Sequence, residues 1–281
     1  MISLRRRPLA GPASAALAVA AALALAGCAS GTASGGAPRD ASPGASAAAT
    51  ASADPELTGE LMIFAAASLS RAFDELAAQF ERLHPGLEVA PISYDGSSVL
   101  ATQLIGGAAV DVFAAADEKN MAKVTDAALA TEAAPFATNT LEIAVAPGNP
   151  RQISSLSDLT APGLTVVLCA AEVPCGSAAQ KLLSAAGVAL TPASEEQNVT
   201  AVLTKVTSGE ADAGLVYRTD VTAAGDAVTG VEIEGADAAT NVYPITALTA
   251  APNPEAARAF VAFVLSADGQ KVLKSFGFGA P

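Results

Sequence analysis

Four short turns in this 281-residue sequence carry small polar or main-chain donors where a strand gives way to a helix. They are Ser68, Gly96-Ser97-Ser98, Pro174-Cys175-Gly176-Ser177 and Asn198-Val199. The first N–H groups of a helix have no partner inside it and carry the positive end of its dipole, so each turn offers contact to an anion. Taken singly, such a turn reads as ordinary capping, with Asn198 a fitting N-cap. Several converging on one cleft make an anion site that needs no Lys or Arg.

Other chemistries fare less well. Ser68 and Ser97 at strand–helix turns invite a serine-hydrolase reading, but there is no Gly-x-Ser-x-Gly elbow, and the one histidine, His84, stands at a helix end before Pro85. No Gly-x-x-x-x-Gly-Lys loop is present to hydrolyse ATP, and the acids are scattered as solvating surface charges rather than clustered for a metal. A net charge of −13 argues against a nucleic-acid partner, whose affinity would rest on Lys and Arg at phosphates. The chain is 51% hydrophobic with a mean hydropathy of +0.41. Alanine supplies much of that, and only one N-terminal stretch reads as a membrane segment.

The elements that must position the turns alternate. Leu61 to Ala66 is a continuous apolar run of the buried-strand kind, and apolar residues at 69, 72, 73, 76, 77, 80 and 83 mark one face of a following helix. Pro85-Gly86 stops it, Leu87 to Tyr94 reads as the next strand, and a second helix begins at Val99, Leu100 and Leu104 and ends near Gly106-Gly107. Further strands are expected at Val110–Ala115, Leu141–Ala146, Leu164–Leu168 and Gly214–Tyr217, with helices around 177–186, 199–208 and 255–275. Strands separated by helices predict an α/β fold with mostly parallel sheets. Such sheets bind ligands beyond the carboxyl ends of their strands, where the four turns lie.

The N-terminus reads as an export signal. Arg5, Arg6 and Arg7 form a charged region, Leu9 to Ala26 an apolar one, and Leu25-Ala26-Gly27-Cys28 resembles a bacterial lipobox. The resemblance implies a lipoprotein signal peptide over 1–27, lipidation of Cys28 and tethering to the outer face of the cytoplasmic membrane. A plain secretory signal or an uncleaved anchor is the alternative. Loss of three Arg and no acids would take the charge to −16. From Ala29 to Glu56, 24 of 28 residues are Ala, Ser, Gly, Thr or Pro, so residues 28–57 read as a flexible linker with too little apolar surface to fold.

Four segments together resemble the periplasmic molybdate-binding proteins of ABC importers. These are Phe64-Ala-Ala-Ala-Ser68-Leu, Gly107-Ala-Ala-Val-Asp111-Val-Phe, Val173-Pro-Cys-Gly176 and Gly209-Glu-Ala-Asp-Ala-Gly-Leu-Val-Tyr217-Arg-Thr-Asp220. The similarity runs from about Gly59 to Gly277. It implies a two-lobed type II periplasmic-binding-protein fold, each lobe a mostly parallel sheet flanked by helices, with the ligand in the cleft between them. Lobe 1 is then 58–139 and 243–281, and lobe 2 is 140–242. It also implies a monomeric binding protein rather than an enzyme, with no cofactor, molybdate or tungstate as ligand, and an ABC permease with a separate ATPase subunit as partners.

Carried over residue by residue, the resemblance assigns oxyanion binding to Ser68, Ser97, Cys175, Val199 and Tyr217. The serines would use hydroxyl and backbone N–H, Cys175 and Val199 backbone N–H, and Tyr217 its phenolic O–H. Molybdenum would enter only as the bound oxyanion. Groups that each spend a proton on the ligand offer no acceptor for a hydrogen bond from a protonated oxyanion, and so favour a fully deprotonated dianion. They do not separate molybdate from sulfate, which share charge and shape, so a receptor for sulfate or another small anion stays open, as does an interaction-only lipoprotein. Cys175 stands where the family has a small residue. With Cys28 lipidated in an oxidising exterior, a Cys169–Cys175 disulfide is expected, two buried free thiols being the alternative. Arg218 reads as an exposed solubilising charge.

Overall fold

The computed structural model describes residues 56–281. The expected signal peptide at 1–27, the expected lipidation at Cys28 and nearly all of the expected 28–57 linker lie outside the described residues.

The chain enters through β1 (Gly59–Leu61) and β2 (Ile63–Ala66), makes a single 3₁₀ turn at Ala67–Leu69 and continues into α1 (Ser70–Leu83). There follow β3 (Leu87–Val89), β4 (Ser93–Asp95), α2 (Ser97–Ile105), β5 (Val112–Ala114) and α3 (Glu118–Asp126). β6 (Ala134–Asn139) leads across to β7 (Leu141–Val145), then β8 (Val166–Cys169), α4 (Pro174–Ala185), β9 (Ser194–Glu196) and α5 (Val199–Thr207). β10 (Ala213–Tyr217), α6 (Arg218–Ala224) and β11 (Thr229–Glu232) precede the return through β12 (Asn241–Ala247), and α7 (Pro254–Leu265) and α8 (Ala267–Ser275) close the fold.

Two five-stranded sheets result, ordered β4-β2-β5-β12-β6 and β11-β7-β10-β8-β9. Each is mixed rather than mostly parallel. β4, β2 and β5 run parallel, as do β10, β8 and β9, whereas β12 is antiparallel to β5 and β6, and β7 to β10 and β11. The antiparallel pairs all involve β7 or β12, the strands next to the crossings between sheets, because a chain returning from the other sheet has no helical crossover to reverse it. Asn139 and Asn241 pair across β6 and β12, so the two crossings lie side by side.

Several expected elements divide. The 61–66 run breaks at Met62, leaving β1 to pair with β3 in a separate two-stranded sheet while β2 joins the main one. The buried Asp111 explains the break, its Oδ2 accepting the Met62 N–H at 2.7 Å and its Oδ1 the Asn253 N–H at 2.6 Å. The 87–94 strand likewise splits, and the 255–275 helix is two helices, with Ser266 capping α8 by accepting the Gly269 N–H. Four strands, β6, β9, β11 and β12, and two helices, α3 and α6, lie where none is expected. Pro135 and Pro244 obscure β6 and β12, with the register shifting between Tyr243 and Pro244.

α1 buries Ala72, Phe73, Leu76, Ala77 and Phe80 as its spacing requires, although Leu83 is exposed. Its phenylalanines join a run of edge-to-face and tilted rings: Phe80 to Phe260 at 5.2 Å, Phe260 to Phe73 at 6.0 Å, Phe73 to Phe136 at 5.8 Å and Phe136 to Tyr243 at 6.2 Å. A chain only 4% aromatic thus gathers these rings into one core, which continues from Tyr243 to Tyr217 at 5.9 Å and Phe278 at 5.6 Å. Phe260→Ala is expected to cost about 3–5 kcal/mol in urea unfolding, and Leu83→Ser to stay within about 0.5 kcal/mol.

Candidate functional site

The turns at the carboxyl ends of neighbouring parallel strands meet. β2 ends at Ala66 and hands on to Ser68, β4 ends at Asp95 before Gly96-Ser97, β8 ends at Cys169 before α4, β9 ends at Glu196 before Asn198-Val199, and β10 ends at Tyr217. Ser68, Ser97, Cys175, Val199 and Tyr217 all line one cavity between the two sheets, together with Asp95, Gly96, Val173 and Asn198. By where the centre of a water-sized sphere can go, it measures about 10 Å³. That is the scale of a single small ion, against ~300 Å³ or more for pockets that hold organic ligands.

Each donor is held by local structure. Ser97 is the first residue of α2, and its Oγ accepts the Ala116 N–H at 2.9 Å, leaving its own proton to donate. Ser68 sits in the 3₁₀ turn rather than opening α1 directly, and its Oγ is 3.0 Å from the Tyr243 Oη. Tyr243 in turn lies 3.5 Å from the Asn139 Nδ2, which also donates to the Thr219 Oγ1 at 2.8 Å. With Asn139 donating to the Tyr243 Oη and Tyr243 to Ser68, the Ser68 proton is left for a ligand. Val199 opens α5, whose N-cap Asn198 accepts the Ala201 N–H at 2.9 Å as its sequence suggests.

Cys175 is the second residue of α4, after Pro174, and its thiol is joined to Cys169 in a disulfide with Cα atoms 5.7 Å apart. Both half-cystines are buried. Gly176 is required here: a Cβ would stand 1.9 Å from the Ala170 carbonyl oxygen. The start of α4 is thus pressed onto the strand end and stapled to it.

Tyr217 is buried beside Tyr243, the ring centres 5.9 Å apart, and among the described residues its Oη has no well-aligned hydrogen-bond partner. Burial pushes the phenols of Tyr217 and Tyr243 well above their usual range, so both stay protonated donors. The Tyr217 N–H is held by the Asp220 Oδ2 at 2.9 Å, and burial raises that carboxyl to about 7 against the one opposing hydrogen bond. Among the described residues no Lys or Arg lines the cavity, and Asp95 is its only charged residue. Arg218, exposed as expected, reaches the Gly277 carbonyl oxygen at 3.1 Å instead. Among the described residues no cluster of three or more His, Cys, Asp or Glu could hold a metal.

Tyr243, Asn139, Thr219 and Asp220 escape sequence reading as site residues. Thr219 and Asp220 lie inside the Gly209 to Asp220 segment and offer a signal there. Asn139 and Tyr243 stand beside the crossings between sheets, which no local pattern marks.

Residues 61–279 match the family model described as bacterial extracellular solute-binding protein. The molybdate-binding protein ModA of Mycobacterium tuberculosis is 47% identical over 222 residues, covering 79% of this chain and 85% of that protein. The periplasmic molybdate-binding protein of Azotobacter vinelandii superposes with a TM-score of 0.68 at 21% identity, over 79% of this chain and 99% of the other. The sulfate-binding protein SubI of M. tuberculosis does so with 0.66 at 21%, over 78% and 86%.

Two outcomes follow from the site. Tyr217→Phe removes an unpartnered buried hydroxyl, so the ligand-free protein should unfold at no lower denaturant concentration, while binding of a tetrahedral oxyanion weakens about tenfold or more by calorimetry. Asp220 is protonated in both states below pH ~4, but the folded state must bury its charge above about 7. Stability is therefore lost as pH rises between those values. Asp220→Asn, which keeps an acceptor for the Tyr217 N–H, should be up to about 4 kcal/mol more stable than wild type above pH 7 and equal to it near pH 4, by denaturant unfolding.

Proposed function

Since the chain belongs to the bacterial extracellular solute-binding protein family, we propose that it captures molybdate outside the cytoplasmic membrane and delivers it to an ABC importer. The observation that carries this is the convergence of Ser68, Ser97, Cys175, Val199 and Tyr217 on one ion-sized cavity, with the Tyr217 hydroxyl buried and unpartnered. A buried polar group is costly unless a partner completes it, and an oxyanion supplies four acceptors. The 47% identity to a molybdate-binding protein supports the choice of anion.

In this reading 58–139 and 243–281 act as one lobe and 140–242 as the other, and binding closes them on the ligand. Donors from both sides surround a deprotonated dianion, and tungstate, alike in charge, shape and size, binds as well. The closed form docks on a membrane permease, a separate ATPase subunit drives release, and the lipid on Cys28 with the 28–57 linker keeps the monomeric binding domain near that partner.

A thermal-shift series with molybdate, tungstate, sulfate and phosphate at matched ionic strength tests the reading. At about a hundred times Kd, molybdate and tungstate should each raise the midpoint by about 5–10 °C, with little change from sulfate or phosphate. A larger shift with sulfate would make the protein a sulfate receptor. No shift with any of the four, from folded protein, would overturn the oxyanion function.

A further inference from the structure

Two contacts beside the cavity join the turn at 95–97 of one lobe to the turn at 197–199 of the other. Asp95, at the end of β4, has its Oδ1 2.7 Å from the Gly96 N–H and 2.8 Å from the Nδ2 of Asn198, which caps α5 on the other sheet. Beside it Gly96 has φ −60° and ψ 135°, a backbone conformation open to any residue. Its lack of a side chain is imposed from across the cleft, since a Cβ there would stand 2.0 Å from the Gln197 carbonyl oxygen. A weaker bond, Asn120 Nδ2 to the Glu172 carbonyl oxygen at 3.3 Å, spans the same seam.

We infer that Gly96 and the Asp95–Asn198 bridge form the latch that sets how closely the two lobes shut on the anion, a role that rests on the oxyanion reading above. Gly96 precedes the donor Ser97, and Gln197-Asn198 precedes the donor Val199, so the seam fixes the spacing of donors on opposite walls. Donor spacing is what can separate oxyanions of equal charge and shape but unequal size. The latch also accounts for a carboxylate beside a dianion site. Asp95 is a positioning residue whose charge is taken up by two N–H donors, one from each lobe, and not a ligand group.

Gly96→Ala, Asn198→Ser and Asp95→Ala, with the Asp95→Ala/Asn198→Ser double variant, test this in the full chain. Serine keeps the α5 cap while deleting the amide donor, so α5 is preserved. Molybdate affinity is measured by calorimetry, and closure by the fall in radius of gyration in small-angle scattering. Wild type should bind and contract. Gly96→Ala should keep its ligand-free unfolding midpoint, bind about tenfold or more weakly and contract less at saturating molybdate. Asn198→Ser should lose about tenfold in affinity through faster dissociation, and the double variant should lose no more than the worse single one, as partners in one bond do. Wild type that binds while Gly96→Ala binds and contracts like it, or losses at 95 and 198 that simply multiply, would overturn the latch alone. Wild type that binds no molybdate would overturn the oxyanion reading and the latch with it.

Discussion

An anion held without a cationic side chain has to be balanced by dipoles, and dipoles act only at contact. That constraint governs this architecture. With a net charge of −13, the far field of the chain repels an anion, so in the proposed function the attraction has to come from oriented N–H and O–H groups within hydrogen-bond reach. Donors at fixed short distances require rigid supports, and the parallel strand ends supply them on both sheets.

The supports differ between the walls. On the first, the Ser68 hydroxyl is oriented by Tyr243, which is packed at the end of the phenylalanine run and tied through Asn139 to Thr219 on the second sheet's side. The network that aims a donor therefore passes through the crossings about which the lobes would hinge. On the second wall, the Cys169–Cys175 disulfide and the close seating of Gly176 on Ala170 hold the start of α4, and the buried Asp220 holds the backbone of Tyr217. Burying that carboxyl lowers stability at neutral pH, as strain and desolvation at binding sites commonly do.

The turns that line the cavity are set locally, which is why they are legible in the chain. A Ser or Asn after an apolar run and before a helical period marks a helix start wherever it occurs, and Ser97, Asn198 and the Pro174-Cys175 turn stand where that rule puts them. Local rules failed where neighbours in space decide the outcome. Leu61 to Ala66 reads as one strand until the Asp111 carboxylate takes the Met62 N–H, and β12 carries a proline that only its place beside a register shift tolerates.

From the sequence alone came the α/β class, the family resemblance, the order of the donor turns and the residue types able to bind an anion, because periodicity, capping and motif spacing act over a few residues. Only the tertiary structure decided that strands next to the crossings run antiparallel, that Tyr243 faces Ser68, and that Gly96 must lack a side chain because of Gln197, about a hundred residues away. Those are distances between segments far apart in the chain. They are set by how the two sheets pack, and no short-range pattern encodes them.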